Sequence, residues 1–120
     1  GWRSPDFLIA SSEWFAFVPA KEYFDEPGDH ADELETSVMM HYHPELVNLD
    51  EAGNGDYKKF TSQMLNEKVA WIPRNWQKVS QDTGIGNPKK ASAEKGKKYA
   101  EAVVAKYALL FEELVHKELY

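Results

Sequence analysis

The stretch Gly28-Asp29-His30-Ala31-Asp32-Glu33-Leu34-Glu35-Thr36-Ser37 decides how this chain is read. It joins a loop ending in Asp29-His30 to a helix that opens on three acids. Upstream, residues 19–30 carry Pro27-Gly28 among polar side chains, which is loop chemistry. From Asp32 the pattern predicts a helix to about Tyr42, with Pro44 just beyond as its stop. Acids in a first helical turn are favoured by the dipole, by ~0.3–1 kcal/mol each, and this accounts for Asp32 and Glu33. Glu35 needs more. With Leu34 at zero and about 100° per residue, Val38, Ala31, Tyr42 and Met39 fall between about 40° and 140°, with Glu35 at about 100°. Glu33 falls at about 260°, on the polar side. A carboxylate on a buried stripe is costly unless it is paired, hydrogen-bonded or bound to a metal. Glu35 is therefore a candidate functional acid, and a structural hydrogen bond to backbone or hydroxyl is the alternative.

His30 precedes this helix directly. An imidazole there can move a proton near neutral pH, and it can converge with Glu35 on one pocket. The helix start also offers N–H groups to an anion. His41 and His43 have His-X-His spacing, which chelates zinc on an extended segment. Here it falls at a helix end, where histidine is favourable without metal.

Working outward, Phe7-Leu8-Ile9-Ala10 is an unbroken apolar run that predicts a strand buried on both faces, extending as far as Phe17. Val69 to Ile72 predicts a second short strand. Gly53-Asn54-Gly55-Asp56 and Gly84-Ile85-Gly86-Asn87-Pro88 are turn chemistry. Residues 92–119 predict a long helix, with Ser92 as its N-cap and Glu94 in the first turn. Tyr99, Val103, Tyr107, Leu110, Phe111 and Leu114 make one apolar stripe along it. Strand, helix, strand and long helix predict an α/β arrangement within one domain spanning residues 1–120. Two short strands make a poor sheet for two helices, so a further half is expected upstream.

Composition narrows the function classes. The net charge of −6 argues against nucleic acid. Lys89, Lys90, Lys95, Lys97 and Lys98 read as a solvated helix start. With no cysteine, disulfides and thiolate metal sites are excluded. No apolar run is long enough to span a membrane. A phosphate loop is absent, since Gly84-Ile85-Gly86 lacks the downstream Lys-Ser/Thr, and so is a Gly-X-Ser-X-Gly elbow. Trp14, Trp71 and Trp76 are the aromatic residues usual in cores.

Residues 29–40, Asp-His-Ala-Asp-Glu-Leu-Glu-Thr-Ser-Val-Met-Met, followed by His43-Pro44-Glu45-Leu46-Val47, resemble the C-terminal motif of the creatininase family. That motif runs roughly His-Ala-Gly-Glu-X-Glu-Thr-Ser-X-Met and then Pro-Asp/Glu-Leu-Val. Gly86-Asn87-Pro88 and Ala91-Ser92-Ala93-Glu94-Lys95-Gly96 look like the opening of the family's last helix, so the resemblance covers nearly the whole chain. The pattern has Gly where this chain has Asp32, which questions the close backbone approach at that turn.

The resemblance implies part of an α/β/α sandwich and a metal-dependent amidohydrolase acting on the C–N bond of a cyclic amide or related amide. It implies a homo-oligomer, commonly hexameric, and a cytoplasmic setting is expected. His30 and Glu35 match catalytic positions, with Glu35 at or beside the metal. Trp14, Asp29 and Glu33 are the expected substrate contacts. The family's principal ligands for a divalent metal (Zn, Mn or Fe) lie in Glu-X-His, Asp and His-Gly-Gly-Asn or His-Tyr-Glu-Asn segments that this chain lacks. They are expected in a missing N-terminal half, so this chain alone is expected to hold no metal tightly and to be inactive. The rival readings are a non-enzymatic α/β interaction module that docks a partner through the stripe of the last helix, and a creatininase-like formamide deformylase or peptide amidase.

Overall fold

A computed structural model describes residues 7–118 and 120 of the chain. Four α-helices occur among them: α1 (Glu33–Tyr42), α2 (Gln63–Asn66), α3 (Trp76–Val79) and α4 (Ala93–His116). Short 3-10 turns lie at Trp14–Ala16, Ala20–Glu22, Pro44–Leu46 and Leu49–Glu51.

Both long helices begin where their caps direct. Asp32 is extended, and its side chain accepts from Glu35 N at 3.0 Å. Ser92 is extended, and its hydroxyl accepts from Lys95 N at 3.2 Å. Each cap satisfies a first-turn donor that the helix itself leaves unpaired. The helix predicted to Leu119 ends at His116, and Leu119 lies outside the described residues.

The core is where α1 crosses α4. Phe24, Leu34, Tyr99 and Val103 are buried together, with Trp14, Phe17, Tyr23, Val38 and Tyr107 packed around them. Tyr99 is its hub: Trp14, Tyr23 and Phe24 surround its ring at centroid distances of 6.2, 5.4 and 5.2 Å, and its hydroxyl donates to Phe15 O at 2.8 Å. Burial, with the charge of Asp32 next, pushes the Tyr99 hydroxyl above its ordinary pKa. The crossing depends on Gly96. A Cβ there would sit 1.9 Å from the carbonyl oxygen of Ser37, so only glycine lets the two backbones come this close. Ser37 is fully buried and its Oγ accepts from Ser92 N at 3.1 Å, tying α1 to the first turn of α4.

The expected α/β sandwich is not present. Among the described residues there is no strand, only isolated antiparallel bridges at His30–Ile85 and Tyr57–Ser80. Residues 7–10 and 69–72 are irregular, with Leu8 58% and Trp71 81% exposed. An apolar run forms a strand only where a neighbouring backbone completes its hydrogen bonds, and neither run has one here. The stripe of α4 divides likewise. Tyr99 and Val103 are buried, but Phe111 is 60% exposed because α1 covers only the first half of the helix. The radius of gyration is 18.0 Å, against about 14 Å for a compact 120-residue domain.

Candidate functional site

The predicted site residues gather at the loop leading into α1, but not in the arrangement the helical wheel suggested. The packed face of α1 carries Glu33, Leu34 and Ser37, all buried. The arc expected to be buried is split: Leu34 is in the core and Val38 packs against it, while Ala31, Glu35, Met39 and Tyr42, with Val38 at the edge, line an open groove of about 690 Å³, closed elsewhere by Trp14, Leu46, Leu49 and Pro88. The periodicity marked an apolar face correctly and misassigned what covers it. Close approach at Gly96 draws the small and charged side of α1 inward.

Glu33, expected on the polar side and as a substrate contact, is instead fully buried in an ion cluster. Its carboxylate accepts from Asp25 N at 3.2 Å, Glu26 N at 2.6 Å and the Lys95 ammonium at 2.7 Å. Lys95 also donates to Asp25 at 2.8 Å and to Lys90 O at 2.8 Å, so its three protons are all engaged. Burial pushes the Glu33 carboxyl upward, yet the Lys95 ammonium and the two backbone N–H groups outweigh it and hold it below its usual range. The Lys95 hydrogen bond likewise lowers Asp25, and hydrogen bonds to Asp25 and Glu33 raise Lys95. Lys95 is thus the exception to the solvated basic cluster expected from sequence. A lysine one position before a helix-crossing glycine was the available signal.

His30 is pinned by its backbone. His30 N donates to Ile85 O at 3.0 Å, and Ile85 N donates to His30 O at 2.8 Å. Its Nδ1 lies 3.9 Å from Glu35 Oε2, and both side chains are partly open to solvent. The same Glu35 oxygen accepts from Ala31 N at 2.7 Å, which is the backbone hydrogen bond considered as its alternative role. Ala31, between the two, has φ of 49°, a left-handed conformation costing an alanine about 1–2 kcal/mol. Asp32 needs no glycine-like freedom, since its φ is −84°.

Asp29 does not face Glu35 as a free acid. Its carboxylate accepts from the Arg74 guanidinium at 2.7 Å, and that guanidinium lies 5.1 Å over the Trp76 ring, which meets the His30 ring in an edge arrangement with centroids 4.9 Å apart. Sequence reading missed Arg74 and assigned Trp76 to the core. They come from a separate excursion, and no local pattern places them beside His30. Trp14 lies half-buried between Tyr99 and the groove that Glu35 also lines. His43 Nδ1 pairs with Glu45 at 3.2 Å, while His41 packs on Tyr42, so neither joins the His30–Glu35 pair.

The family model for creatininase, creatinine amidohydrolase, matches residues 6–111. The chain belongs to the creatininase family. A solved structure from Bacteroides fragilis, provisionally described as a creatinine amidohydrolase, is 60% identical to it with a TM-score of 0.89. The alignment covers 97% of this chain and 46% of that one, so the chain spans about half the length of this relative. A search of curated proteins found no match.

Among the described residues, no three His, Cys, Asp or Glu side chains come together in a way that could hold a metal. His30 and Glu35 supply two donors, and one oxygen of Glu35 is already committed to Ala31 N. These residues do not by themselves fit a metal centre. No helix of the described residues is long and apolar enough to cross a membrane.

Proposed function

We propose that this chain carries the proton-transfer side of an amidohydrolase centre that cleaves the C–N bond of a cyclic amide or related amide. One observation carries the reading: within a creatininase-family chain, His30 and Glu35 converge to 3.9 Å where a backbone-pinned loop enters α1. Water adds to the amide carbon, the C–N bond breaks, and the leaving nitrogen must gain a proton. His30 in its imidazolium form is suited to give it, and the Glu35 carboxylate stabilises that charged form from the next helical turn. Trp14 and the apolar groove beside Glu35 would seat the body of the substrate. Asp29, tied to Arg74, and Glu33, tied to Lys95, hold the loop and helix in place rather than meeting the substrate.

A divalent metal in the active protein would take its remaining ligands from outside these residues. The relative's additional length is the natural source of them, and of the partner surface in a homo-oligomer. The test is an assay, on the longer protein that supplies the remaining ligands, of ring opening of creatinine and of simple cyclic amides and formamides, with His30→Gln beside the wild type. Loss of about 10²- to 10⁴-fold in kcat is expected for the variant. Undiminished hydrolysis by His30→Gln, or no amide hydrolysis by the wild type, refutes the reading.

A further inference from the structure

The His30 backbone is fixed from both sides by Ile85, but Glu35 does not hold the imidazole. A separation of 3.9 Å exceeds hydrogen-bond reach, and the oxygen concerned is taken by Ala31 N. The ring does meet Trp76, edge to face at 4.9 Å, within the range in which aromatic pairs are directional. Trp76 is fixed in turn by the Arg74 guanidinium over its ring at 5.1 Å. Arg74 also grips Asp29, the residue before His30, at 2.7 Å. A planar guanidinium can pair with a carboxylate at its edge while stacking through its face, and a lysine cannot. These residues lie on the excursion 57–80, closed at its base by the Tyr57–Ser80 bridge and by Lys58 N donating to Val79 O at 2.8 Å. Core packing does not account for Trp76, which is 42% exposed and lies outside the buried cluster.

We propose that Trp76, locked by Arg74, is a positioning residue for the His30 imidazole, making the 57–80 excursion a working part of the catalytic centre. This rests on the amidohydrolase reading above. Trp76 acts through His30, so its loss should slow proton transfer and leave substrate affinity alone.

The test uses Trp76→Leu, Trp76→Phe and Arg74→Lys in the longer protein, read by amide hydrolysis and by the ring-current shift of the His30 Hδ2 and Hε1 resonances. Trp76→Leu is expected to remove that shift and lower kcat about 10- to 100-fold with KM unchanged. Trp76→Phe should restore most of both readouts, and Arg74→Lys should fall between. Unmoved His30 resonances in Trp76→Leu overturn the proposal, as does a KM increase at constant kcat or a Trp76→Phe variant as slow as Trp76→Leu. If Trp76→Leu does not fold, Trp76→Phe and Arg74→Lys decide by the same two readouts, and His30 resonances unmoved in both overturn it. A wild type with the ring-current signature but no amide hydrolysis refutes the functional reading while leaving the clamp standing.

Discussion

Lys95→Met would leave the carboxylate of Glu33 buried without its cation, and the cost can be worked from the geometry. At 2.7 Å the pair attracts by about 6 kcal/mol at an effective dielectric constant of 20. Most of this offsets the desolvation of the two charges, and removing one partner of a buried pair costs ~3–5 kcal/mol. Two features reduce that here. Glu33 keeps its hydrogen bonds from Asp25 N and Glu26 N, and the Lys95 side chain is 29% exposed, so water screens it. A net loss of about 2 kcal/mol is expected at neutral pH. The pH dependence separates this from lost packing. The folded Glu33 pKa lies below the ordinary glutamate value of 4.5, so its contribution is present above that value and disappears as pH falls through the lower folded one. In Lys95→Met the upward push of burial is opposed only by the two N–H groups, so protonation relieves the variant first. The gap between wild type and variant should therefore be widest near neutrality and close in acid. Lys95, raised above 10.5, contributes fully below that value, so the gap should stay flat into mild alkali. Urea unfolding across about pH 2.5–9 measures it. A neutral-pH difference under about 0.5 kcal/mol, or one that does not change with pH, refutes the argument.

Other substitutions probe the crossing and the site. Gly96→Ala should destabilise by about 3 kcal/mol despite alanine's better helix propensity, because the new methyl meets the Ser37 carbonyl rather than a movable side chain. A melting temperature equal to or above that of the wild type would count against so close a contact. Ser37→Ala should cost about 1–2 kcal/mol in urea unfolding, since it strands the Ser92 N–H at the start of α4. His30→Gln should leave stability within about 0.5 kcal/mol, as a partly exposed residue whose backbone makes its main bonds. Its effect on turnover would then reflect chemistry, which thermal melts run beside the kinetics would establish.

Both long helices were legible in the sequence, and for the second so was its cap, because Ser92 acts locally and needs nothing distant; Asp32, read as a first-turn acid, is the cap of the first. The meeting of His30 with Glu35 was legible for the same reason, being a matter of one loop and one helical turn. The strands were not, because an apolar run carries no information about whether a neighbouring backbone exists to pair with it. Phe7 to Ala10 looks the same in sequence whether covered or bare. The orientation of α1 was hidden by a subtler cause. Hydrophobicity favoured the Leu34–Val38–Tyr42 arc as the inward face, but Gly96 and Lys95, some 60 residues downstream, draw Glu33 and Ser37 inward beside Leu34 and leave Met39 and Tyr42 outside. Glycine at a crossing permits an approach that side-chain hydropathy cannot anticipate.

That inversion bears directly on the chemistry. Because Glu33, Leu34 and Ser37 are the residues that α1 buries, the side that carries Glu35, Met39 and Tyr42 borders the open groove. In this setting the His30–Glu35 pair is weakly coupled, since 47% and 41% of the two side chains remain exposed and water screens them. Whatever covers the groove removes water from Glu35 and its apolar neighbours in the same step. Desolvation strengthens the attraction between a carboxylate and an imidazolium. On the proposed function, occupation of the groove would bear on the proton-transfer pair through the single side chain of Glu35, which lines the groove and lies 3.9 Å from His30.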